Sequence, residues 1–278
     1  PGASEFFRLP ERPSAHRAAV LSRFTGGRPL PFARMLAGNW VYLAALAASF
    51  VVAALASPVG VSGAVLLLPF QVSVLGTPSP SVTPTNLLYN VVATPGALFR
   101  YWRQQQTGGR LTRTLLIGTV PGVIVGSIVR VKFVPGPRVF DAIIALVLVP
   151  LGSWLLLRGG EVRRASRLAD VTDPWLVPMA VVVGCVGGIY GIGGGSILAP
   201  LLISFGRSPR DVAPATLAAT FVTSIAGITT FLVLSSQSGE SSVAPDWGVG
   251  IALGIGGLMG GYAGARLQPH LPEAAIRR

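Results

Sequence analysis

The chain has 278 residues, 51% apolar and 12% charged, with a formal net charge of +12. Soluble domains carry about 25% charged residues, so this composition excludes an ordinary water-facing surface and places the chain among polytopic membrane proteins. The basic surplus does not indicate nucleic acid, because no repeated aromatic–basic pattern, zinc ligand set or phosphate-binding lysine motif accompanies it. Basic loops facing anionic headgroups and the cytoplasm account for it instead.

Residues 1–35 carry six Arg and two Glu and read as a basic N-terminal tail or interfacial segment. Within it, AHRAAVLSRF at 15–24 suits a short interfacial helix, and no cleavable signal peptide is expected. Apolar stretches then follow at 36–57, 64–76, 82–99, 114–129, 139–157, 175–206 (broken by glycines), 212–234 and 247–265. All 22 Lys and Arg lie outside these stretches, and of ten acidic residues only Asp141 lies inside one. A charge in lipid costs about 3 kcal/mol or more, so the segregation is that of membrane spans.

The stretches divide into a first transmembrane repeat at 36–157 and a second at 175–278, joined by a charged linker at 158–174. Aligning Pro69 with Pro200 matches GVSGAVLLLP at 60–69 to GIGGGSILAP at 191–200. With one residue removed, VTPTNLLYNVVATPG at 82–96 matches VAPATLAATFVTSIAG at 212–227, so that Val82, Pro84, Asn86 and Asn90 face Val212, Pro214, Thr216 and Thr220. The segment 139–157 has no counterpart. Either the natural protein continues beyond 278 or the second copy has lost its last helix.

Each small-residue knot is expected to break a helix, since consecutive glycines disfavour its continuation. The second knot predicts that Ser196 caps a helix starting at Ile197, with Pro200 in its first turn. The first predicts a helix from about residue 64 with Pro69 as a bend. Broken backbone cannot face lipid, because unpaired amides there cost several kcal/mol. It must be buried in protein or line an aqueous cavity, and amides at a helix start favour an anion. The candidate substrate-binding residues are therefore Ser62, Gly63, Gly193, Gly194, Gly195 and Ser196 from the knots. Asn86, Asn90, Thr216 and Thr220 join them as neutral hydrogen-bonding groups on the following spans.

The recurring glycines 118, 122, 126 and 256, 260, 264 read as close helix contacts. Trp40, Trp102, Trp175 and Trp247 read as interface anchors. Arg130 and Arg266, alike in the two copies, either form an entrance ring or mark helix ends. Cys185 is alone, and His16 and His270 lie in opposite tails, so neither a disulfide nor a metal site is expected, and no cofactor. No Ser/His, Cys/His or metal constellation suggests an enzyme, and no nucleotide motif suggests direct ATP hydrolysis.

Two stretches, GIGGGSILAPLLISFG followed by VAPATLAATFVTSIAGI, with PDW at 245–247, resemble the sulfite exporter TauE/SafE family; GVSGAVLLLPFQVSVLG with VTPTNLLYN resembles a degenerate first copy of that signature. The resemblance spans about 36–270. It implies a two-copy permease of the inner membrane that moves sulfite or related organosulfur anions. It also places Gly193–Gly195 and Thr216–Thr220 on the family signature, with Ser62, Gly63 and Asn86 at first-copy positions. The expected fold is thus all-α and polytopic, with two repeated helical halves, each with a glycine-broken helix pair.

Counting basic residues on each side leaves inverted and parallel halves nearly level. The inverted arrangement is favoured because 235–246 has two acids and no base, whereas the C-terminal tail is basic. The expected function is secondary transport of a small anion bound between the repeats, probed against two alternatives, a passive anion channel and a non-transporting membrane scaffold or assembly subunit. Membrane lipids are the other expected partners, and a homo-oligomer or an unidentified membrane partner stays open.

Overall fold

A computed structural model describes residues 39–78, 81–104, 109–134, 174–238 and 244–271, with Gly136, Phe140, Ala142 and Ser153 between them. The N-terminal tail with its interfacial helix, nearly all of the 139–157 span, the 158–174 linker except for Pro174, and the basic tail after 271 lie outside the described residues. The structure is all-α among those described, and the helices belong to one body, Trp40–Arg278. In chain order they are α1 (Asn39–Ala56), α2 (Ala64–Ser73), α3 (Val82–Arg103), α4 (Arg110–Lys132), α5 (Leu176–Tyr190), α6 (Gly194–Ser204), α7 (Pro209–Ser238) and α8 (Trp247–Leu267). Short 3-10 turns follow α1 at Ser57–Val59 and α8 at Gln268–His270.

Length and composition sort these helices. The segments Tyr42–Val59, Arg110–Lys132, Pro209–Gln237 and Trp247–His270 are long and apolar enough to cross a membrane. At 1.5 Å per residue, α2 and α6 reach only about 15 Å and 16 Å, roughly half of a 30 Å hydrocarbon core. Both start at a knot, and each carries an internal proline, Pro69 or Pro200. Helix α3 is long enough but polar, and the reason is position. Thr83, Thr85, Asn86, Asn90 and Thr94 are all buried on it, so it is enclosed by other helices. Large apolar side chains on the outer helices are exposed instead, among them Leu43, Leu55, Ile117, Val182 and Met259. Trp102, Trp175 and Trp247 are exposed too, at helix ends, where an indole anchors to headgroups.

Glycines set the packing. A methyl at Gly122 or Gly126 would overlap the carbonyl of Val181 or Cys185, so α4 lies directly on the α5 backbone; Gly184 and Gly188 return the contact against Thr119 and Val123. On α8, Gly256, Gly260 and Gly264 meet the carbonyls of Leu46, Phe50 and Ala54 on α1 in the same way. The other face of α8 seats Leu88 and Val92 of α3 over Gly250 and Gly254. Gly227 of α7 receives Leu87 of α3 and Val123 of α4. Neighbours therefore run α1, α8, α3, α7, α4, α5. Helix α2 packs on α3, and α6 packs on α5 and α7.

Overpacking such contacts costs about 1–3 kcal/mol. Gly126→Leu and Gly260→Leu should each lower the thermal midpoint of the detergent-solubilised protein and its monodisperse fraction on size exclusion. Gly109→Ala, at a site with open space around it, should leave both unchanged.

Candidate functional site

Both knots interrupt the chain at a left-handed glycine in the same aligned position. Helix α5 ends at Gly191 (φ +75°), whose amide and that of Ile192 close back on the Gly187 carbonyl at 2.9 and 3.1 Å. Gly193 (φ +71°, ψ 149°) then reverses the chain in a conformation open essentially to glycine alone, and α6 starts at once. In the first knot the 3-10 turn ends at Gly60 (φ +83°), and Gly63 precedes α2.

Proximity also demands these glycines. A side chain at Gly60 would strike Ala213 and Thr216 of α7, one at Gly191 the Thr83 carbonyl of α3, and one at Gly195 the Thr216 carbonyl. By the alignment of 60–69 with 191–200, the Gly60 and Gly191 contacts match and are made crosswise, α7 on the first knot and α3 on the second; α7 also lies on its own repeat's knot at Gly193 and Gly195.

The carbonyls left over by the two breaks find side-chain donors. Gly60 O accepts from Thr216 Oγ1 at 2.9 Å, Pro58 O from Gln268 Nε2 at 2.7 Å, and Ser57 O from the Tyr101 hydroxyl at 3.1 Å. In the second knot Ile189 O accepts from Thr83 Oγ1 at 3.2 Å and Gly191 O from Asn90 Nδ2 at 3.4 Å. The helix starts are served less fully. The Gly194 amide donates to Thr223 Oγ1 at 3.4 Å, and the Gly63 amide faces the Tyr89 hydroxyl without hydrogen-bond geometry. The next first-turn amides have no acceptor within their own helix.

The knots touch. Ser62 Oγ and Ser196 Oγ lie 2.8 Å apart across 134 residues of sequence. Ser196 also donates to the Ile192 carbonyl at 2.9 Å, which leaves Ser62 as the donor between the two hydroxyls. Thr220 Oγ1 stands 3.5 Å from Ser196 and beside Gly195, and the Thr220 methyl lies against Gly193. The structure thus brings Ser62, Gly193, Ser196 and Thr220 together, with Thr216, Gly195 and Asn90 at their margins; Gly63 and Gly194 open the two helices, and the polar side chains named are all buried. Asn86 is engaged elsewhere. Its Oδ1 accepts from Gln71 Nε2 at 2.7 Å and its Nδ2 donates to Ala64 O at 3.1 Å, tying α3 to α2.

One expectation needs correction. Ser196 does not cap: α6 begins at Gly194, because Gly193 makes the reversal, so Ser196 falls in the first turn and Pro200 well inside the helix. Arg130 and Arg266 both lie in the last turn of their helices but differ in their surroundings. Arg266 is exposed, whereas Arg130 is fully buried, donates from Nε to Thr83 Oγ1 at 3.2 Å, bonds the Val134 carbonyl and covers the Phe140 ring at 4.0 Å. Through Thr83 it supports the carbonyl end of α5, where a cation suits the helix dipole. Thr223 and Ser224 belong to the run of hydroxyls that the sequence offers on the second copy's span, whereas Gln71 is absent from the expected site. A lone amide inside the apolar stretch 64–76 was the available signal for Gln71.

The cluster is neutral, built from hydroxyls, amides and main-chain donors at helix starts. Among the described residues no group of three or more His, Cys, Asp or Glu could hold a metal ion. A bundle of apolar helices around two broken ones, with buried hydroxyls and amides gathered where the breaks meet, fits a polytopic membrane protein of transporter type. Residues 45–278 match the family Sulfite exporter TauE/SafE, and the chain belongs to that family. It is 24% identical over 241 residues to the "Probable membrane transporter protein YunE" of Bacillus subtilis (strain 168), covering 79% of this chain and 86% of that protein. No solved structure matches significantly.

The serine contact can be checked directly. In a Cys185→Ala background, which removes the lone native thiol, Ser62→Cys with Ser196→Cys should cross-link under mild oxidation in membranes. Ser62→Cys paired with Thr229→Cys, on an exposed turn of α7, should not.

Proposed function

We propose that the protein is a secondary carrier of a small oxyanion such as sulfite or a short organosulfonate, exported across the inner membrane. The substrate rests between repeats 36–157 and 175–278, against Ser62, Gly63, Gly193, Gly194, Gly195 and Ser196, with Asn86, Asn90, Thr216 and Thr220 as further contacts. One observation carries the reading: side-chain donors occupy the leftover carbonyls of both breaks, while the amides opening α2 and α6 are the less engaged groups. Such a centre favours a negative guest over a cation. Family membership supports the transporter class, and the name of the Bacillus relative agrees with it.

The crosswise contacts of Gly60 with α7 and Gly191 with α3 support two related halves meeting at the knots, and alternating access moves one against the other. The Ser62–Ser196 bond closes the space between the knots, and a barrier of that kind favours a carrier, which opens and closes, over a permanently open channel. It would be broken each time the halves part. The acidic 235–246 segment and the basic C-terminal tail support inverted halves, with the former outside and the latter inside.

Purified protein in liposomes should take up labelled sulfite. Uptake by the Ser62→Cys/Ser196→Cys protein should fall to the level of empty liposomes on oxidation and recover on reduction. Undiminished flux in the cross-linked protein would refute a path through this contact. For orientation, Gly239→Cys should react with an impermeant maleimide from outside intact cells, and Ala274→Cys only after permeabilisation. Labelling of position 239 from inside alone would refute the inverted arrangement.

A further inference from the structure

We infer that the site takes its oxyanion in singly protonated form, so that the substrate carries its own proton through the membrane; the inference rests on the carrier reading above and narrows its substrates to sulfite, excluding sulfonates that hold no acidic hydrogen. It starts from two fully buried side chains that flank the Gly191–Gly193 reversal. Asn90, on α3, is 0% exposed and directs Nδ2 to the Gly191 carbonyl. A carbonyl can only accept, so the amide orientation is fixed and Oδ1 is the outlying atom. That oxygen has no hydrogen-bond partner among the described residues. Ser224, on α7, is also 0% exposed, and its Oγ is likewise unpartnered. It lies 3.2 Å from where a side chain on Gly193 would start, at the head of the eleven-residue helix α6.

The two atoms ask different things of a ligand. Helix-start amides and the Ser224 hydroxyl donate, and oxyanion oxygens satisfy them. Asn90 Oδ1 accepts only, and a buried acceptor left unpaired costs about 1–3 kcal/mol. A fully ionised oxyanion makes that worse by placing lone pairs against lone pairs. An oxyanion that keeps one acidic hydrogen satisfies both sides, with its O–H donating to Oδ1 and its other oxygens accepting at the start of α6. Sites that bond a ligand hydroxyl discriminate strongly against the analogue lacking it.

Around Asn90, among the described residues, α3 itself and α5 bring the phenols Tyr89 and Tyr190, and Asp246 meets α3 at Thr85, more than a turn away. Helix α7 presents Thr220 and Ser224, and α8 presents glycines to this part of α3. Arg130 of α4 reaches Thr83, about two turns away on α3. Coupling to protons thus needs no intramembrane acid: the monoanion crosses with a charge of one and a proton attached.

The test uses the full chain in liposomes, with protein-free liposomes subtracted at each pH. The probes are sulfite, which holds or loses an acid proton around neutrality, and methanesulfonate, which has none. Sulfite uptake at fixed total concentration should follow the hydrogensulfite fraction, falling about tenfold per pH unit above its ionisation midpoint, and methanesulfonate should be moved poorly at every pH. Asn90→Leu should cut hydrogensulfite uptake about fivefold or more and narrow its preference over methanesulfonate, while Ser224→Ala should lower uptake without changing that preference. Sulfite uptake that is flat with pH, or methanesulfonate moved as well as sulfite, overturns the inference and leaves the carrier standing. Uptake of neither probe at any pH overturns both. The pH series on the unaltered chain decides the matter even where Asn90→Leu does not fold.

Discussion

Everything in this protein turns on the need to satisfy main-chain groups that two broken helices leave unpaired away from water. A buried unpaired peptide group costs several kcal/mol in hydrocarbon, and two interruptions leave many at once. The answer is a polar helix, α3, enclosed by apolar ones, together with the buried hydroxyl face of the otherwise apolar α7. Thr83 and Asn90 of α3 take carbonyls of the second break, and Thr216 of α7 takes one of the first. Tyr101 and Gln268 complete the first. Helices as polar as α3 are tolerable in a membrane only because the rest of the bundle removes them from lipid.

That requirement explains the glycine content outside the knots. To supply hydrogen bonds at 3 Å, α3 and α7 must come very near the breaks, and the outer helices must come equally near to seal them. Gly191 against the Thr83 carbonyl and Gly60 against Thr216 are contacts no side chain could occupy. The ladders on α4 and α8 do the same for α5 and α1. Since lipid tails are as apolar as leucine, close van der Waals packing must supply the association that water would drive elsewhere.

Much of this was legible in the residues, and the failures have physical causes. Breaks at both knots follow from local glycine chemistry, and the helix from residue 64 with Pro69 inside it stands as expected. The enclosed α3 was foreshadowed by Asn86 and Asn90 in an otherwise apolar run. The start of α6 was misplaced because Gly193 at positive φ lets a helix begin three residues before Ile197; sequence alone does not say which of several glycines takes that dihedral. Arg130 and Arg266 occupy like positions and differ only in tertiary surroundings, where Thr83, Val134 and Phe140 enclose the former. Ser62 meeting Ser196 was beyond reach for the same reason, since nothing local encodes a partner 134 residues away.

The serine contact also shows what the degenerate first motif contributes. By the alignment of 60–69 with 191–200, Ser62 stands opposite Gly193 and Ser196 opposite Val65. A strictly repeated protein would therefore carry either two such bridges or none. Gly193 must remain glycine for its dihedral, whereas the first knot carries a serine at the matching position. Divergence of the first knot adds one hydroxyl between the breaks. A single neutral bond of this kind contributes about 1 kcal/mol, enough to favour the closed arrangement and small enough to be broken repeatedly. Loss of glycines from the first signature is, on this account, part of how the two knots meet.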